Sequence, residues 1–87
     1  MKKIQPVQIW KDGQVLTASW LNAYCVNDNL KDTAIFYYTL NADYEGSPNE
    51  ILADGNLTMS GEDYANWNDN DYAYNWIATQ LSLTIIP

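Results

Sequence analysis

The sequence predicts an α+β fold, mainly β, built as a small antiparallel sheet of about four strands with a C-terminal helix packed on one face. Three observations lead there. Up to Ser60, apolar residues tend to alternate with polar ones, the period of a half-buried strand. Lys11-Asp12-Gly13-Gln14 contains Asp-Gly, the strongest short hairpin signal, so the strands flanking it run antiparallel. After Ser60 the apolar spacing changes to that of a helix.

The first strand covers Lys3 to Trp10, with Ile4, Val7, Ile9 and Trp10 arranged around Pro6. Proline lacks the ladder N–H, which places this strand at an edge. The second strand covers about Val15 to Val26 and is long enough to carry a bulge or bend. Asn27 to Asp32 is a polar connection of residues that tolerate left-handed backbone. Thr33 to Asp43 is dense in β-branched and aromatic residues and reads as the central strand. Tyr44 to Asn49, with Gly46, Ser47 and Pro48, reads as an exposed loop, and Glu50 to Asp54 as a short strand or a connecting turn. Gly55 to Ser60 is the fourth strand, with Leu57 and Met59 on one face.

Ser60-Gly61-Glu62-Asp63 has the cap residue and first-turn acids of a helix start. Trp67 to Asp71 then interrupts with poor helix formers, so a second helix, capped by Asn68 or Asp69, is expected to run to about Ser82. Its stripe of Ala73, Tyr74, Ile77, Ala78 and Leu81 should lie on the sheet, with Tyr72 and Trp76 flanking it. Leu83 to Pro87 is an extended apolar tail suited to a sheet edge.

At 87 residues the chain is expected to form one domain, residues 1–87. Four Trp, seven Tyr and one Phe supply the large side chains that so small a core requires. Eleven acids against four lysines leave a net charge of −7, and the chain has no Arg, so nucleic acid is not an expected partner. No apolar segment follows Met1-Lys2-Lys3 and no run approaches a membrane span, so neither a signal peptide nor a transmembrane segment nor a membrane partner is expected. Cys25, alone in its strand, reads as a small buried hydrophobe.

The absence of His and Arg removes the usual general base and the usual oxyanion clamp, so no catalytic residues are expected and the chain reads as no enzyme. A carboxylate pair for glycoside hydrolysis needs a substrate cleft, for which this length leaves little room. Asn68-Asp69-Asn70-Asp71 loosely resembles an oxygen-rich calcium loop but lacks the central Gly and later Glu, and a helix break with an N-cap explains all four residues. No metal and no cofactor is therefore expected. The positive clue is aromatic: Trp67, Tyr72 and Trp76 crowd the helix start, and Tyr37 and Tyr38 point to opposite faces of one strand. Rings on both faces cannot all enter one core. The interface candidates are Trp67, Tyr72 and Trp76, with Leu83, Ile85 and Ile86 of the tail.

Gly61-Glu62-Asp63-Tyr64-Ala65-Asn66-Trp67, followed by Asp71-Tyr72-Ala73-Tyr74 and Trp76-Ile77-Ala78, resembles small structural proteins of tailed bacteriophages. The resemblance covers roughly the last third of the chain and the hairpin layout before it. It implies a virion component of the head, the head-tail junction or the tail, assembled in the host cytoplasm, with copies of itself or other virion proteins as partners. It transfers no functional residue. Two further readings are a carbohydrate-binding or adhesion module using exposed Trp and Tyr, and a small acidic inhibitor or nucleic-acid mimic.

Overall fold

A computed structural model describes residues 1–86; Pro87, the end of the expected tail, lies outside them. The chain runs β1 Lys2–Lys11, β2 Gln14–Asp28, β3 Thr33–Tyr44, β4 Ser47–Ser60, α1 Gly61–Asn66 and α2 Asn70–Gln80. The strands lie in the order β1-β2-β3-β4, every neighbouring pair antiparallel. This is the expected four-stranded sheet with a C-terminal helix, and β3 is interior as expected.

The β1–β2 and β3–β4 hairpins each close on two residues with left-handed backbone. Asp12 and Gly13, at φ 50° and 79°, form the expected turn. Glu45 and Gly46, at 53° and 83°, form a second turn of the same kind. The loop expected over Tyr44 to Asn49 is thus a tight turn from which β4 departs at Ser47, and Glu50 to Asp54 is continuous strand. Gly46 tolerates this backbone freely, and Pro48 is accommodated because β4 is an edge strand. In the β2–β3 connection the left-handed residue is Leu30, at φ 60°, and not one of the flanking asparagines. Asn29 is occupied otherwise: its Oδ1 accepts from the backbone N–H groups of Lys31, Asp32 and Thr33.

Register decides the faces. Leu21, Ala23 and Cys25 pair with Leu40, Tyr38 and Phe36, and Phe36 and Ala34 with Leu57 and Met59, all on one face. α2 covers it with Ala73, Tyr74, Ile77 and Ala78, and Ile77 is fully buried. Tyr74 fastens the two layers by accepting at its hydroxyl from the Ala23 N–H, 3.2 Å, and donating to Asn22 Oδ1, 3.3 Å. Tyr38 lies across Gly55, where an added Cβ would come within 2.8 Å of its hydroxyl, so the glycine makes room for the ring.

Towards the hairpin tips the opposite face is the buried one. Fifteen residues of straight strand would span roughly 50 Å, yet the longest extent of the molecule is 41 Å. The sheet coils, and its two edge strands approach each other there: Lys11 Nζ on β1 donates to the Ile51 carbonyl on β4, 3.1 Å. Inside this coil lie Val7, Ile9, Leu16 and Leu52, with Ala18 fully buried.

The helix ends follow local rules. Asp69 caps α2, accepting from the Tyr72 N–H at 2.7 Å, as one of the two expected caps. Ser60 precedes α1 without a side-chain capping bond, so only part of the expected start is realised. α2 stops at Gln80, earlier than expected, because Ser82 turns left-handed at φ 58°. Leu83 N–H then bonds the Ala78 carbonyl and Ser82 N–H that of Thr79, a complete Schellman closure. It directs the tail onto β1, where Gln5 N–H meets the Thr84 carbonyl and Ile86 N–H that of Lys3, both at 2.9 Å. Ile4 and Ile85 are bridge partners, and Ile4 is fully buried.

Candidate functional site

The residues expected at an interface are used largely inward. Trp67 packs edge-on against Phe36, ring centroids 5.0 Å apart, and Trp76 lies 6.2 Å from the same ring. Tyr72, Leu83 and Ile85 also pack against the core, each half-buried, while Ile86 is exposed. The Trp76 indole N–H is buried with no hydrogen-bond partner among the described residues. Trp67, Tyr72 and Trp76 therefore share one region around α2, and Leu83, Ile85 and Ile86 line the β1 edge.

The most exposed aromatic side chain stands at the other end of the molecule. Trp10 is 74% exposed, and its cross-strand partner Val15 is 60% exposed. The two-residue turn fixes this pairing, and alternation sends both side chains away from the coiled interior that receives Ile9 and Leu16. Trp10 was legible as part of β1, but as one apolar residue among several. The available signal was its place opposite Val15 about Asp12-Gly13, which makes both faces of the hairpin tip apolar.

Two concavities flank the start of α2. One, of about 250 Å³, opens between α2 and the sheet and is lined by Ala23, Cys25, Phe36, Trp67, Ala73 and Ile77. Met1, half exposed, stands at its mouth. Small side chains facing each other from two layers, Ala23 and Ala73, leave the space. The Cys25 thiol lies half-buried at this wall and donates to the Asn27 carbonyl, 3.3 Å.

The second concavity, of about 400 Å³, lies beside it and is edged by Asp28, Tyr64, Asp69 and the amides of Asn68 and Asn70. Tyr64 donates to Asp28 Oδ1 at 2.7 Å, and this bond pushes the Tyr64 phenol up to about 12. Lys2 Nζ meets Asp71 Oδ1 at 2.8 Å across the β1–α2 gap, and the shared hydrogen bond raises the lysine and lowers the carboxyl from their ordinary ranges. Among the described residues no three His, Cys, Asp or Glu side chains converge to hold a metal ion.

On the open sheet face near the helix end, Tyr24 and Tyr37 stand 5.6 Å apart with ring planes at 56°. Tyr37 donates to Asp54 Oδ2 at 2.7 Å, which raises its phenol. Rings so tilted offer no flat platform. Among the described residues no helix is long and apolar enough to cross a membrane. No family model matches the chain, and neither does any curated protein or solved structure.

Proposed function

We propose that this chain is a non-enzymatic structural protein that works by protein–protein contact, as an assembly component of a bacteriophage particle. The observation that carries the reading is the Trp10–Val15 pair, held in solvent on a rigid two-residue hairpin. Tryptophan is the side chain most enriched at the energetic centres of interfaces, and a 74% exposed indole leaves roughly 150–200 Å² of ring to be covered. The composition adds to this: with neither His nor Arg, the chain has little to offer an active site. The phage context rests on the sequence resemblance over the last third.

Light scattering after size separation tests the reading. The wild type should elute as a species heavier than the 9.9 kDa chain, and Trp10→Ala should return it to 9.9 kDa while staying folded. A wild type that remains at 9.9 kDa at every concentration contradicts it.

The second reading, a carbohydrate-binding module, draws on Tyr24, Tyr37 and Asp54. Their hydroxyl and carboxylate could bond sugar hydroxyls, but the 56° tilt of the rings suits stacking poorly. Saturable shifts of the Tyr24 and Tyr37 resonances with hexose oligosaccharides would favour this reading over the first.

A further inference from the structure

Two features of the surface call for a covering partner, and each has the shape of the other. Trp10 is an apolar knob, 74% exposed. The cleft between α2 and the sheet is a hole of about 250 Å³ with a mixed lining: Phe36 and Trp67 are its aromatic walls, Ala23 and Ala73 lie at its base, and Asn70 adds a polar edge suited to an indole N–H. Its volume admits an indole side chain. Within one molecule they cannot meet: Val15, beside Trp10, and Cys25, on the wall of the hole, are ten residues apart along β2, roughly 33 Å of strand.

We propose that Trp10 of one copy inserts into the α2–sheet cleft of the next, joining copies head to tail. This rests on the assembly reading above and names its contact. Charge selects the occupant. The hole lies beside Asp28 and Asp69, at an end that also carries Glu62 and Asp63. The other exposed hairpin ring, Tyr44, sits between Asp43 and Glu45 with Glu50 close in sequence, so like charges oppose its entry. The Trp10 tip carries Lys11 beside Asp12 and is neutral, whereas the Tyr44 tip carries Asp43 and Glu45 and no cation, so the acidic rim repels Tyr44 and not Trp10.

The contact is heterologous, since knob and hole are different surfaces, and such contacts close into rings or extend as filaments. Trp10 and Val15 together expose roughly 250 Å², well below the ~800 Å² per partner of a stable dimer. A single contact is therefore transient. Ring closure, or a particle that holds neighbours in place, makes it last, because each copy then engages through both its knob and its hole.

Complementation tests this. Trp10→Ala keeps the hole and loses the knob; Ala73→Leu keeps the knob and fills the hole, and Ala23→Val is a second filler. Each variant alone should sediment as a monomer, with the fillers melting at or above the wild-type temperature. An equimolar mixture of Trp10→Ala and Ala73→Leu has only the one transient contact, so the Trp10 indole N–H signal of nitrogen-15-labelled Ala73→Leu should shift progressively as unlabelled Trp10→Ala is added, with no species heavier than twice 9.9 kDa. Folded fillers that still assemble like the wild type overturn the proposal and leave the assembly reading standing, as would tip-to-tip pairing of two Trp10 side chains. A Trp10 signal that does not move at any excess of Trp10→Ala also overturns it. A wild type that never assembles removes the assembly reading and this contact together.

Discussion

Ser82 adopts φ 58°, a conformation that costs a residue with a Cβ more than glycine, yet its position closes α2 and aims the tail at β1. Ser82→Gly should relieve that strain while keeping both closing hydrogen bonds. We expect a gain of roughly 0.5–1 kcal/mol, read as a rise in melting temperature of a few degrees. Tyr64 is a second residue with a measurable consequence. Its folded phenol, at about 12, lies above the usual value near 10 because its proton is shared with Asp28. A raised group stabilises the fold below its unfolded pKa, so the contribution of this bond is complete below about pH 10 and is lost as pH rises towards 12. Ultraviolet titration should show several late phenols, and in Asp28→Asn the Tyr64 phenol should ionise earlier while Tyr37, bonded to Asp54, stays late. Neither residue was singled out from sequence: left-handed backbone at a serine has no composition signal, and Tyr64 and Asp28 are brought together only by the packing of α1.

At the scale of elements, what could be read beforehand was what periodicity encodes. β1, β2, β3 and α2 were legible because their residues alternate or stripe in register with the faces they bury, and Asp12-Gly13 fixed the first turn. The β3–β4 turn was not, since Glu45 occupies a left-handed position usually held by Asn or Asp, and the Ser-Pro that follows looked like loop. The coil that brings β1 to β4 arises from twist and bulges, which leave no period in a sequence. The tail was legible as a strand, though not its partner. It covers Ile4 of its own chain with Ile85, and its direction is set by the Schellman closure. Deleting the chain from Leu83 onward should therefore cost roughly 2–4 kcal/mol through the lost burial of Leu83, Ile85 and Ile4. The mass of whatever remains folded should be unchanged. A truncated protein of full stability that no longer assembles would make the tail an intermolecular arm instead.

As a whole the molecule is polar in the sense that its two ends differ. One end holds the helices, the cleft beside α2 and a rim of carboxylates; the other is a coiled pair of hairpins tipped by Trp10 and Val15. The candidate site divides along the same line. Trp67 was found from sequence because it lies in an aromatic cluster, whereas Trp10 was passed over as an ordinary strand residue, and the cleft is a shortage of volume between Ala23 and Ala73 that no single residue announces. The most direct test of assembly through Trp10 follows the indole N–H signals of Trp10, Trp20, Trp67 and Trp76 by nitrogen-15 NMR through a dilution series. The signals of Trp10 and Trp67 should move with concentration, while Trp20, tied to Asp43 at 2.8 Å, stays fixed. Four signals that do not move at any concentration would contradict the account.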